Sequence, residues 1–165
     1  PCILIKSDGS AIYATTDLAT MVQRMGDFKP DQMLYITDNA GEIGFDRICA
    51  EMIAQSYPDL QITFCVRGGP AMNDATRADA AAVGIEFAVI DNGTCTPGTE
   101  LEAVNAQTRQ AFRDADVIIS KGMGNVETLL GCGYNVYYAF LVKCSRFVKL
   151  FGKAKLTPML LRERA

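Results

Sequence analysis

The chain has 165 residues, 49% of them hydrophobic, enough for one compact domain with its own core and too little for two. Its formal charge of −3 comes without a run of Lys or Arg, although the tail after Lys143 is locally basic, so nucleic acid is not the expected partner. There is no histidine, and the six cysteines include no C-x-x-C pair, which excludes Ser-His-Asp and Cys-His catalysis, structural zinc and a disulfide framework.

Chemistry must therefore use carboxylates, amides, Lys, Arg, Tyr, or a metal held by oxygen. No apolar run reaches the roughly 18 residues that span a bilayer, and no leader pattern precedes the first apolar run, so a soluble, cytoplasmic protein without membrane partners is expected. The chain begins at Pro1 rather than Met, as a fragment or a processed protein would.

Taken in order, the short apolar runs "CILIK" (2–6), "MLYIT" (33–37), "ITFCV" (62–66), "FAVID" (87–91), "DVIIS" (116–120) and "VYYAFLV" (136–142) are strand candidates. Between them, helices are expected over 15–25, 42–56, 74–83, 99–115 and 143–151. The fourth is the clearest: Leu101, Val104, Thr108, Ala111 and Phe112 recur at helical spacing, with charge on the other face. Solidly apolar strands alternating with helices predict a three-layer α/β/α, Rossmann-like domain with a largely parallel sheet.

Ligands of such sheets bind beyond the carboxyl ends of the strands. Asp38, Asn39, Gly41 and Glu42 follow the second run, Arg67, Gly68, Gly69, Asn73 and Asp74 the third, and Lys121, Gly122, Gly124, Asn125 and Glu127 the fifth. Asp38, Asn39 and Asp74 offer hard oxygen donors suited to Mn²⁺ or Mg²⁺, other divalent ions remaining open. Each is equally a residue type that caps helices. Lys121 with the backbone of Gly122 and Gly124 would suit a phosphate at a turn before a helix, with Asn125 beside it. Asp79, within "NDATRADA", is read as structural, paired with Arg77 or Arg67.

In the order "DNAGEIGFD", "VRGGPAMNDATRADA", "DNGTCTPGTEL", "ADVIISKGMGNVETL" and "VYYAFLVKCSRF", these blocks strongly resemble the damage-control phosphatase family, long called domain of unknown function 89, over roughly residues 34–162. The resemblance implies a divalent-metal-dependent phosphatase of small phosphometabolites such as sugar phosphates. It implies that Asp38, Asn39 and Asp74 hold the metal and that Lys121 contacts phosphate. Glu42 is read as a base or a supporting residue of the site, with a capping or dipole role in the first helical turn as the alternative.

The opening 37 residues, with "SDGSAIYATTDLA", resemble instead a piece of the catalytic domain of class I arginyl-tRNA synthetases, Tyr13 and Asp17 matching arginine-contacting residues. The synthetase's nucleotide-binding and lysine signature loops are absent. Two resemblances in one chain imply a chimera of Rossmann-like fragments. The alternatives to a phosphatase are then a fold hybrid without activity, or an amino-acid or nucleotide-binding module. The helical region that the phosphatase family carries before its first block is missing, and apolar surface left bare by that loss would favour self-association.

Overall fold

The computed structural model describes residues 29–163. The expected strand 2–6 and helix 15–25, with Tyr13 and Asp17, lie outside the described residues. Five of the apolar runs form strands: β1 (Gln32–Ile36), β2 (Gln61–Val66), β3 (Ala88–Asp91), β4 (Val117–Lys121) and β5 (Val136–Leu141). Helices α1 (Ile43–Ser56), α2 (Arg77–Ala82), α3 (Ala106–Asp114), α4 (Met123–Leu129) and α5 (Ser145–Phe151) separate them, and a further strand, β6 (Pro158–Arg162), follows.

The sheet order is β3-β2-β1-β4-β5-β6, parallel except that β6 runs antiparallel on β5. Alternation along each strand divides the core into two layers. Met33, Tyr35, Ile62, Phe64, Val117 and Ile119 face α1, whereas Leu34, Ile36, Cys65, Ile118, Val136 and Tyr138 pack with Phe112 of α3, Val126 of α4 and Phe147 of α5. The strands are apolar on both sides because both sides are covered. No helix among the described residues is long and apolar enough to cross a membrane.

Three elements differ from the sequence reading, one of them α4, which none of the expected helix ranges covers. The expected helix 99–115 begins only at Ala106, because Asn105 is extended and its side chain accepts a hydrogen bond from the Thr108 amide, an N-cap in mid-pattern. Val104 is buried all the same, from a turn. Strand β6 was not expected; its pairing with β5 is non-local, and it opens on Pro158, a residue tolerated where a sheet ends.

In this strand order the connection reverses between β1 and β4, and their carboxyl ends flank the crevice where doubly wound sheets bind ligands.

Candidate active site

Asp38 and Asn39 leave β1 before α1 begins, and α1 takes no side-chain cap at all; its N-cap position is Glu42. Asp74 likewise stands outside α2, whose N-cap is Thr76, closed by a reciprocal capping box with Asp79. Capping therefore accounts for none of the three candidate metal ligands. Asp79 is structural as expected, but its partner is Thr76, while Arg67 goes to Asp74 and Arg77 to Asp91.

The backbone brings the three ligand candidates together. Asn39 and Asp74 form an isolated antiparallel bridge, the Ala75 amide donates to the Asp38 carbonyl at 2.8 Å, and the Ala40 amide donates to the Asn73 carbonyl at 2.8 Å. Asn39 Nδ2 lies 3.1 Å from both Asp38 Oδ2 and Glu42 Oε1, and Asn73 Nδ2 donates to Asn39 Oδ1 at 2.6 Å.

Across the crevice, Gly122 abuts Asp38: a Cβ added at residue 122 would sit 2.1 Å from Asp38 Oδ2. The strand end after β1 and the turn after β4 thus share one site. The Gly122 amide donates to the Ala139 carbonyl at 3.0 Å, so this glycine supplies space rather than an amide for phosphate. Gly124 sits in the first turn of α4, where amides have no intrahelical acceptor. Asn125 is fully buried; its Oδ1 accepts from Arg67 and Thr99, and its Nδ2 donates to the carbonyls of Thr37 and Lys121. Its amide is saturated, so the side chain holds the crevice together instead of facing a phosphate.

Lys121 points to the α1 side of the sheet, where Nζ donates to Asp46 Oδ1 at 2.9 Å. Burial opposes its charge, but Asp46, with Glu42 beyond, outweighs that and holds the pKa above the ordinary lysine value. The Asp38 carboxyl moves the other way for an acid, pushed up to about 6, first by burial and then by the negative charges of Asp74 and Glu42. Lys143 and Arg67 offset this only in part.

That repulsion suits a cation. Two carboxylates and one amide oxygen match, in donor chemistry, a hard ion that completes its shell with water and phosphate oxygens. Among the described residues no group of three or more His, Cys, Asp or Glu side chains could hold a metal ion.

Sequence reasoning passed over one residue here and named another without giving it a role at the site. Asp46 interrupts the inward row Ile43, Cys49, Ala50 and Ile53 of α1, a carboxylate on an apolar face that periodicity alone would have flagged. Arg67 ends an apolar strand and is 2% exposed, joining Asp74, Thr99 and Asn125. Nothing in local sequence distinguishes it from an arginine at a strand's solvated end.

The profile of the family described as damage-control phosphatase ARMT1-like domain matches residues 7–157. A damage-control phosphatase of Pyrococcus horikoshii is 38% identical over 119 residues, 70% of this chain and 41% of that protein. One of Archaeoglobus fulgidus is 34% identical over 134 residues, 79% of this chain and 46% of that protein. A crystal structure of a DUF89 family protein from P. horikoshii superposes with a TM-score of 0.82 at 32% identity, covering 88% of this chain and 51% of that one. An arginine–tRNA ligase of Alkaliphilus oremlandii is 41% identical over 66 residues, 39% of this chain and 11% of that enzyme. The family profile nevertheless reaches back to residue 7, across most of the stretch expected to fall outside it. The chain spans under half the length of the curated phosphatases it matches. With a profile match over most of its length and a shared fold, the chain belongs to the damage-control phosphatase ARMT1-like family.

Proposed function

We propose that this domain is a divalent-metal-dependent phosphatase, transferring the phosphoryl group of a small phosphometabolite such as a sugar phosphate to water. The carrying observation is the convergence of Asp38, Asn39 and Asp74, none used as a cap, on the crevice between β1 and β4.

Asp38, the Asn39 oxygen and Asp74 would hold Mn²⁺ or Mg²⁺. With Oδ2 of Asp74 tied to Arg67, its Oδ1 is the oxygen left to offer. When bound, such an ion polarises a phosphoryl oxygen and lowers the pKa of water. The chain's own contribution is to place positive charge opposite the developing negative charge. Lys121 supplies it from the α1 side, Lys143 from the exposed rim, and the Gly124 amide from the first turn of α4. Glu42, exposed and in contact with Asn39, is placed to orient that ligand or to accept a proton from water.

Hydrolysis of a panel of sugar phosphates with and without Mn²⁺, beside thermal denaturation during Mn²⁺ titration, tests the reading. Metal-dependent phosphate release and a metal-induced rise in Tm, both absent in Asp38→Ala, are expected; equal behaviour of the two proteins rejects the site.

A second reading, a folded hybrid without catalytic activity, draws on the likeness to arginine–tRNA ligases. It expects no turnover with any substrate of the panel. Calorimetry with arginine and ATP examines the remaining alternative, an amino-acid or nucleotide-binding module.

A further inference from the structure

The inward face of α1 packs into the layer formed by Met33, Tyr35, Phe64 and Ile119, yet it carries Asp46, which is 1% exposed. One oxygen of this carboxylate, Oδ1, accepts from Tyr35 OH at 3.0 Å and from Lys121 Nζ at 2.9 Å. The other, Oδ2, is buried without a hydrogen-bond partner.

As a stabilising device this is poor. Apolar side chains of similar volume commonly equal or exceed a buried ion pair, and an orphaned buried oxygen adds a desolvation cost. What the pair does supply is direction. The Lys121 side chain is 25% exposed, and its ammonium lies within the field of Glu42. One N–H is held by Asp46, and two remain for an anion. Tyr35 fixes the carboxylate in turn: its ring stacks on Phe64 with centroids 4.9 Å apart, and its hydroxyl, kept protonated by burial and by Asp46, can only donate to it.

We propose that Asp46, anchored by Tyr35, is the positioning residue of Lys121, fixing the direction of its ammonium at the phosphate-binding rim between β1 and β4. The assignment rests on the phosphatase reading above. Lys121 then presents its remaining N–H donors in one fixed direction.

The test is calorimetric titration of inorganic phosphate into the Mn²⁺-loaded protein, with Tm and Mn²⁺ affinity measured alongside. Asp46→Asn and Lys121→Gln should each weaken phosphate about tenfold, as expected for loss of a charged hydrogen bond, and Tyr35→Phe about threefold, since it loosens only the carboxylate that orients the lysine. The double variant Asp46→Asn/Lys121→Gln should bind no more weakly than either single one, since one interaction is removed twice. With p-nitrophenyl phosphate, kcat should fall and KM rise in Asp46→Asn while Mn²⁺ affinity stays constant, a split that mere loosening of the fold does not produce. Wild-type phosphate affinity in Asp46→Asn, with affinity lost in Lys121→Gln, overturns the positioning role and leaves the phosphatase reading standing. Wild-type affinity in Lys121→Gln overturns both roles assigned around this lysine, and no phosphate binding by the wild type brings down the phosphatase reading and this assignment together. Should Asp46→Asn fail to fold, Tyr35→Phe carries the same decision, unchanged phosphate affinity overturning the proposal.

Discussion

Arg67 Nε donates to Asp74 Oδ2 at 2.6 Å, with 1% of one side chain and 9% of the other exposed. The rest of the guanidinium is used as fully, Nη1 donating to Thr99 Oγ1 at 3.1 Å and Nη2 to Asn125 Oδ1 at 3.0 Å. One fork therefore ties β2, the loop carrying Asp74, the loop before α3 and helix α4 into a single wall of the crevice.

Removing that fork leaves a buried carboxylate and two buried polar side chains short of partners. Arg67→Met should cost about 3–5 kcal/mol, the range for breaking one side of a buried ion pair. Arg67→Lys should recover little of it, because an ammonium cannot reproduce the planar fork. Urea denaturation measures both, and a loss below about 1 kcal/mol, the level of an exposed pair, would contradict the network.

Gly122 separates space from backbone chemistry. Its φ of +86° with ψ of 155° lies in a region that only glycine visits readily, and a Cβ there would overlap the Asp38 carboxylate. Gly122→Ala should lose about 1–3 kcal/mol of stability from the backbone alone, and should lose Mn²⁺ binding because Asp38 is displaced. Gly124→Ala is the contrast, its Cβ meeting nothing nearer than the Gly98 nitrogen at 3.5 Å. Its Mn²⁺ affinity, measured by calorimetry, should stay at the wild-type level, and an equal loss in the two variants would refute the steric account.

The sheet was legible because each described parallel strand is an unbroken apolar run, and burial on both faces leaves no other use for such a run. Convergence at the crevice was legible for Asp38, Asn39 and Asp74 because chain order alone places them after adjacent strands. Gly122 was assigned an amide for phosphate, yet that amide is bonded to Ala139 in the next strand. Asn125 was placed at the anion, yet Arg67, 58 residues away in sequence, claims its oxygen. Such long-range partners are set by register across the sheet, which no local pattern encodes. The metal candidates were ambiguous for the opposite reason: Asp and Asn before a helix look alike whether they cap it or not. Only the positions of Glu42 and Thr76 as the actual N-caps separate the cases.

Asp38 gives the metal-free protein a pH signature. Its folded-state pKa of about 6 exceeds the ordinary 3.8, so between those values the folded state binds more protons than the unfolded chain. The contribution of this group is therefore full below the ordinary value and is lost as pH rises through the folded one. Asp79 acts in the opposite sense, its carboxyl held low by Thr76, so the pH dependence of the wild type alone mixes the two. Comparison with Asp38→Asn isolates this carboxyl: the variant should gain stability relative to wild type as pH is raised across the window, with urea midpoints as the measurement. Mn²⁺ should abolish the gain by neutralising the carboxylate in the wild type. A constant difference across pH would show that neither burial nor repulsion raises the Asp38 carboxyl.

The far edge of the sheet has its own lock, independent of the metal. Glu163, just beyond β6, receives the Gly133 amide on Oε1 at 2.7 Å and the Gly131 amide on Oε2 at 3.2 Å. Tyr138 OH stands 2.5 Å from Oε2 and 2.8 Å from the Leu129 carbonyl at the end of α4. The carboxylate thus clips β6 onto the turn that leaves α4, and β6 has no other strand beyond it among the described residues. Glu163→Ala should cost about 1–3 kcal/mol, the penalty for unpairing part-buried donors. Its mark should be local: hydrogen exchange should speed up at Met159 and Leu161 of β6, while Leu34 in β1 and Ile118 in β4 keep the protection of the central sheet. Mn²⁺ affinity should not change, since Asp38 and Asn39 follow β1 and Asp74 lies in the loop after β2, strands of the other half of the sheet order. Equal acceleration in β1 and β6 would mean that the clip supports the whole fold and not its edge alone.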